Sequence, residues 1–341
     1  MKSPFRSVFG RRSTQVERYL TVLIIVYSAV VGFQNPRFLS LETVFDIVHE
    51  GAPTMILAIG VLLVLISGGI DVSFPVVAIC SAYVSIKLMW AFGLDALWFM
   101  IPVSIVIGLL LGLINALLIH FLKLPTLIVT LGTMSVYRGF MAITLGTSQY
   151  PVATMPKSLA EFGLANIVSV EGEGSSYGLS VFFPIVVVIF IVTWFILYHT
   201  MLGRAVFALG SDEEAASRIG VNLLRTRLFV YGYTGAIAGM AGLMYFAAMQ
   251  NVDPVALQGF ELMVIAAVVI GGAKLTGGEG TILGTFLGVL LFQLFQSTLV
   301  QLGLASTWAS FFFGAVLLFS LAMIYYRQRK SDQRNLVFRI G

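Results

Sequence analysis

The sequence predicts an all-α polytopic membrane protein with about ten transmembrane helices, some of them short or broken. Three observations predict it. Of the 341 residues, 58% are apolar and only 11% charged, with a mean hydropathy of +0.97; soluble domains average roughly 45–50% apolar and 25% charged. The apolar residues fall in runs of about the 20 residues that a bilayer crossing needs. Lys and Arg gather on alternate connections between those runs. A single soluble core stops growing near about 250–300 residues, so a lone soluble enzyme is excluded. The same composition excludes disorder and collagen-like repeats.

Residues 1–18 form a basic tail holding Lys2, Arg6, Arg11, Arg12 and Arg18. The run at 19–34 ends in Phe33-Gln34-Asn35-Pro36, without a small-residue cleavage signal, and reads as a retained span. Further runs fall at 52–67, 74–92, 97–121, 125–145, 180–199, 228–250, 261–272, 281–301 and 306–326. Those at 52–67 and 261–272 are short and bounded by Gly or Pro, as broken or re-entrant helices are. Ten spans is the count adopted, with eight and nine left open. Residues 19–326 then form one transmembrane domain, and 327–341 form a second basic tail.

With ten spans, the first tail, the 200–227 loop (Arg204, Arg218, Arg225, Arg227) and the last tail (Arg327, Arg329, Lys330, Arg334, Arg339) share one side, together with Lys123 and Lys274. The other side receives Arg37 and Lys157. The positive-inside bias therefore puts both termini in the cytoplasm. The net charge of +4 sits beside apolar runs, so membrane lipid, and not nucleic acid, is the expected neighbour. The longest outward loop, 146–179, holds Glu161, Glu171 and Glu173, and 155–162 suits a short surface helix. It is either a solvated loop or a docking surface for an external partner.

Cys80 is the only cysteine, and His49, His120 and His199 each end an apolar run. No intrachain disulfide is available, and no metal site is expected. Three Gly-x-x-x-Gly pairs, Gly108/Gly112, Gly235/Gly239 and Gly284/Gly288, lie in predicted spans; such pairs let helix backbones approach closely in lipid. Gly68-Gly69 and Gly271-Gly272 each end a span, which is either a trace of duplication or chance in a Gly-rich chain.

The 200–227 loop is the most informative segment. Ser211 followed by Glu214 reads as a capping box. Asp212, Glu213 and Glu214 suit the positive end of a helix dipole and Arg218 the negative end, while Gly220 suits a left-handed C-terminal cap. A helix of about two turns cannot stand alone. Ala215, Ala216 and Ile219 offer it a small apolar face, so it is either a surface turn or a coupling helix that fits a cytoplasmic motor.

Glu214-Ala215-Ala216, three residues, then Gly220 resembles the first half of the cytoplasmic signature of ATP-binding-cassette importer permeases. Val230 stands near the Ile of the second half, and Gly232-Tyr233 replaces its Leu-Pro, a departure typical of the ribose-type sugar permeases. Ser67-Gly68-Gly69-Ile70-Asp71-Val72-Ser73, residues 124–139 from Leu-Pro-Thr to Tyr137-Arg138-Gly139, and 261–280 with its two double glycines are similar to further motifs of that branch in the same order. Phe74-Pro75 stands where the branch has Val-Gly, which suits a chain that pairs with a different permease. The resemblance implies a homo- or heterodimer of permeases in the bacterial inner membrane. It also implies cytoplasmic ATP-binding subunits carrying ATP and Mg, and an extracytoplasmic sugar-binding protein. This chain holds no Gly-x-x-x-x-Gly-Lys-Ser/Thr phosphate loop and is expected to carry no cofactor and no catalytic residue.

Coupling to the ATPase is therefore expected at Ser211, Glu213, Glu214, Ala215, Ala216, Arg218 and Gly220. Candidates for the pore or its gates are Asp71, Asn115, Tyr137, Arg138, Gln250, Asn251, Gln293 and Gln296, of which the last two can share a helical face. Arg138 either snorkels to the outer interface or serves a gate; Asp71 is either a turn former or a gate contact. Lys87 is mid-span by count, from a misplaced boundary or a protein-facing position. The expected activity is import of a monosaccharide or related polyol by alternating access. The same machine could take a branched-chain amino acid, a nucleoside or a furanose signal. An ion-coupled carrier usually needs intramembrane carboxylates, and Glu261 and Glu279 lie near span ends.

Overall fold

The computed structural model describes residues 5–171 and 176–301, with Trp308, Phe311, Gly314, Ala315 and Leu318 also helical. The expected tenth span at 306–326 and the basic tail at 327–341 therefore fall largely outside the described residues. The chain parts into two compact units, Met1–Leu294 and Phe295–Gly341.

Eight helices among the described residues are long and apolar enough to cross a membrane, so the chain is an all-α, multi-pass membrane protein. They are α1 (Phe5–Gln34), α2 (Leu41–Ile66), α3 (Phe74–Ala91), α4 (Leu97–Leu122), α5 (Thr126–Leu145), α7 (Phe182–His199), α10 (Leu223–Met249) and α12 (Ile282–Gln301). Shorter helices are α6 (Lys157–Leu164), α8 (Met201–Ser211), α9 (Glu213–Arg218) and α11 (Phe260–Ile270). The helix in the 146–179 loop thus begins two residues later than expected, because Pro156 cannot continue a helix backwards and stands at its N-cap.

α2, α3 and α10 form the interior: 83%, 72% and 72% of their apolar windows are buried, against 11% for α1 and 17% for α7. α4 lies along α10 because glycines on both allow it. A side-chain carbon on Gly108 would run into the Gly235 carbonyl, one on Gly112 into the Tyr231 carbonyl, and one on Gly239 into the Ser104 carbonyl. Ser104 Oγ adds a 2.7 Å hydrogen bond to the Gly239 carbonyl. The Gly-x-x-x-Gly pairs of α4 and α10 therefore pack on each other within one chain. Gly284 and Gly288 of α12 take the same close approach to Gly271 and Ala267 at α11.

α2 is not the short run at 52–67. Ser40 caps it, accepting from the Thr43 amide at 3.2 Å, and its first turns carry Glu42, Asp46, His49 and Glu50. Those polar residues hid the helix from a hydropathy reading. α8 was likewise read as loop. α11 is short, as expected.

Four short strands accompany the helices. β1 (Tyr150–Pro151) pairs antiparallel with β4 (Asn251–Val252). β2 (Asn166–Glu171) and β3 (Ser176–Ser180) form a hairpin. His49 Nδ1 meets Ser180 Oγ at 3.0 Å and its ring stacks on Phe182, so the hairpin is fixed to α2. The described residues of 146–179 thus form a folded cap and not a bare loop. It lies at the bundle end opposite α9.

Two bonds close α2: Gly68 N to Leu65 O at 2.9 Å and Gly69 N to Val64 O at 3.0 Å, with Gly68 at φ +80°. At α11 the equivalent bonds run from Gly272 N to Val269 O and from Ala273 N to Val268 O, with Gly272 at φ +97°. The first glycine of one pair thus matches the second of the other. The same two bonds end α3 at Gly93 and α9 at Gly220, so the double glycines share a common way of ending helices.

Candidate functional site

α9 is six residues long. Its N-cap is Asp212, whose Oδ1 accepts from the Ala215 amide at 2.9 Å. Ser211 belongs to α8 and donates back to the Phe207 carbonyl at 2.8 Å. The expected Ser211–Glu214 capping box is therefore replaced by a cap one residue later, since both residues are good caps and the end of α8 decides between them. Gly220 closes α9 at φ +86°.

The expected apolar face divides. Ala216 is turned inward and buried, whereas Ala215 is exposed and Ile219 is 77% exposed. Glu214 pairs with Arg218 along the helix at 2.5 Å, both well exposed. Glu213 instead reaches Arg227 of α10 at 2.6 Å. Arg227 also meets His120 Nδ1, in the last turn of α4, at 3.2 Å. One guanidinium thus joins α9 to two long helices. The sequence reading placed Arg227 on this side but gave it no role.

A second constellation fills the break between α2 and α3. Asp71 is buried, and its Oδ1 accepts from Ser73 N at 2.7 Å and from Ser73 Oγ at 2.6 Å. Asn115 Nδ2 donates to the same Ser73 Oγ at 2.8 Å, and Tyr137 Oη donates to Asn115 Oδ1 at 3.2 Å and to the Leu111 carbonyl at 3.0 Å. Thr126 Oγ1 accepts from Ile70 N at 2.8 Å, and Thr130 Oγ1 from Val72 N at 3.3 Å. Helices α4 and α5 thereby hold the non-helical backbone of 70–73, which membrane burial requires. Asp71, Asn115 and Tyr137 are brought together; no ion pair reaches Asp71 among the described residues. Ser73, Thr126 and Thr130 were missed. The i to i+2 spacing of Asp71 and Ser73 was the available signal.

The other candidates are dispersed. Gln250 ends α10 at φ +50°, and its Nε2 donates to the Ala247 carbonyl at 2.6 Å and to the Ala160 carbonyl of α6 at 3.1 Å. Asn251 is in β4. Gln293 is buried and its Nε2 lies 3.4 Å from Glu50 Oε2, while Gln296 is half-buried on α12. Arg138 is half-buried on α5 and makes no hydrogen bond or ion pair among the described residues. Around it α5 presents an open stripe: side-chain carbons built on Gly132 and Gly139 would meet nothing within 4 Å, and Val136, Phe140 and Ile143 are exposed.

Lys87 points into protein. Its Nζ donates to Tyr150 Oη at 2.5 Å and lies over the rings of Tyr150, Tyr83 and Trp90 at 4.8, 5.4 and 5.8 Å. That hydrogen bond is the main cause holding the Tyr150 phenol below its ordinary pKa. Tyr83 Oη donates to the Ser148 carbonyl at 3.1 Å, so the segment before β1 is latched to the middle of α3. Cys80 is a free, buried thiol.

A family described as "Branched-chain amino acid transport system / permease component" matches residues 43–321. The chain is 32% identical to the ribose import permease protein RbsC of Haemophilus influenzae over 296 residues, which cover 85% of this chain and 87% of that protein. It is 29% identical to RbsC of Escherichia coli K12 over 88% and 92% of the two chains. It is 30% identical to the autoinducer 2 import system permease protein LsrC of Yersinia pseudotuberculosis over 92% and 85%. No solved structure matches the chain.

Proposed function

Because the chain belongs to the branched-chain amino acid transport system permease component family, we propose that it is the membrane-spanning permease of an ATP-binding-cassette importer for a monosaccharide or related small polyol. The observation that carries the sugar reading is its similarity to ribose import permeases over nearly the full length of both chains. The buried, continuous glycine packing of α4 on α10 supports a bundle that moves in blocks, as alternating access requires.

In this reading the α9 end is cytoplasmic, as the gathering of Lys and Arg there supports, and both termini lie on that side. ATP and Mg²⁺ act on a separate subunit. α9 is the coupling element: its cap, its exposed Ala215 and Ile219 and its Glu214–Arg218 pair form the presented surface, while Glu213 and Arg227 carry displacement into the bundle. A second permease covers the open stripe of α5. A soluble binding protein docks on the cap built from 146–181. The partners bias a two-state equilibrium, and no covalent step occurs in this chain.

The similarity to LsrC favours one second reading, a furanose signal as cargo. Reconstitution with its ATPase and binding-protein partners, assayed with labelled ribose, autoinducer 2 and leucine, decides among them. Uptake of ribose-like sugar alone supports the proposal. Uptake of leucine alone overturns it, and uptake that persists without ATP but collapses with an uncoupler overturns the whole class.

A further inference from the structure

At the α9 end of the bundle, four glycines from three distant segments meet backbone to backbone. Gly68 follows α2, Gly210 lies in the last turn of α8, and Gly277 and Gly278 lie in the loop between α11 and α12. The amide of Gly278 donates to the carbonyl of Ile66, the last residue of α2, at 2.9 Å. A side-chain carbon on Gly210 would collide with that same Ile66 carbonyl and lie 2.8 Å from the Gly278 nitrogen. One on Gly277 would strike the Gly210 carbonyl and come within 2.7 Å of the Gly68 Cα; one on Gly278 would lie 2.6 Å from Ser211 Oγ. Nothing but glycine fits at 210, because the obstructing atoms are backbone.

Each segment leads somewhere different. Gly210 is three residues before α9. Gly68 lies at the start of the break between α2 and α3, just after Ser67, and that break holds the buried Asp71 network. Gly277 and Gly278 precede α12, and the loop around them is closed by Lys274, which donates to Glu279 at 2.5 Å and whose amide donates to the Glu279 carbonyl. Close-packed backbone has no side chain to yield, so it transmits displacement instead of absorbing it.

We propose that Gly68, Gly210, Gly277 and Gly278 form a rigid backbone junction through which movement of α8 and α9 reaches both helix breaks, 67–73 and 271–281, at the same time. The proposal rests on the reading of α9 as the coupling element. These glycines are positioning residues: they touch neither cargo nor nucleotide, and they set how much of the ATPase stroke arrives at the bundle.

The test uses the complete transporter in liposomes, with Cys80→Ser as background. In Gly210→Ala, the ATPase subunit stays bound and hydrolysing, and uptake per ATP hydrolysed falls by about 5–150-fold, the span of ordinary coupling free energies. Spin labels on Arg204→Cys and Thr276→Cys, both exposed, report on the junction with its glycines intact, whether or not Gly210→Ala folds. Their separation is expected to stay constant when ATP binds, to less than the about 1–2 Å by which switching interfaces shift. A separation that changes with ATP overturns the junction. So does a loss of uptake that only follows the amount of assembled complex, or an unchanged transport ratio. Glu214→Lys is the control: if it transports normally, the coupling reading itself fails, and if it uncouples while Gly210→Ala does not, only the junction fails.

Discussion

Arg227 of α10 grips Glu213 of α9 at 2.6 Å with only 15% of its side chain exposed, against 51% for Glu213. The pair ties a six-residue helix, too short to persist alone, to the longest interior helix. Arg227→Gln and Glu213→Gln should each leave the bundle folded, because Glu213 is half exposed and an ion pair open to solvent on one side contributes only about 0–1 kcal/mol. Each should lower transport per ATP hydrolysed. The double variant should do no worse than either single one, and a double-mutant cycle on the transport ratio checks this. Additive losses would show that the two residues act apart.

Glu214 and Arg218 pair on the exposed side of α9. Such an i,i+4 pair is worth about 0.3–0.5 kcal/mol, so Glu214→Lys should leave the melting temperature in detergent nearly unchanged. It should weaken capture of the ATPase subunit and uncouple uptake. Wild-type capture and uptake would remove α9 from the interface.

Gly235 faces Gly108 across the α4–α10 contact, where a side-chain carbon would collide with a carbonyl oxygen. Gly235→Val should cost more than the about 1–3 kcal/mol typical of overpacking, since backbone must separate. Gly132→Ala, in open space on α5, should be neutral or slightly stabilising through helix propensity. Thermal unfolding of the two variants in the same detergent gives the comparison.

Asp71 acts as an acceptor for Ser73 N and Oγ, a role an asparagine oxygen can fill. Asp71→Asn should therefore fold with near-normal stability. Asp71→Leu leaves buried donors unmet and should lose about 1–3 kcal/mol per orphaned group. Tyr137→Phe removes the donor to Asn115 and to Leu111 and should fall between them. Melting curves rank the three.

Asp95, in the turn before α4, caps α6 from outside: its carboxylate accepts from Lys157 N at 3.0 Å, Ser158 N at 3.2 Å and Ser158 Oγ at 2.5 Å. Asp95→Ala should cost about 1 kcal/mol, as lost caps do, and the loss should appear locally. Limited proteolysis of intact vesicles should cut within 146–165 faster than in the parent, with the long apolar helices unaffected.

The apolar runs revealed most of the fold because lipid demands them, and eight of the ten lie close to the helices found. α2 was cut short because Glu42, Asp46, His49 and Glu50 interrupt its hydropathy, although Ser40 announces its start. α8 escaped because Arg204 and three further polar or glycine positions dilute its pattern. At the site, sequence marked Asp71, Asn115 and Tyr137 separately; that Asp71 and Asn115 share Ser73, with Tyr137 bonded to Asn115, depends on distant segments meeting. The cap of α9 was misplaced by one residue because Ser211 and Asp212 are chemically interchangeable there. The glycine junction could not be read at all, since it joins positions far apart along the chain.

The bare strip along α5 separates two kinds of selection. A side-chain carbon added at Gly132 or Gly139 meets no described atom within 4 Å, so an isolated chain should tolerate alanine or serine there. Any intolerance seen in living cells must then originate in assembly, and a deep mutational survey scored once for expression and once for growth would trace the outline of the missing neighbour.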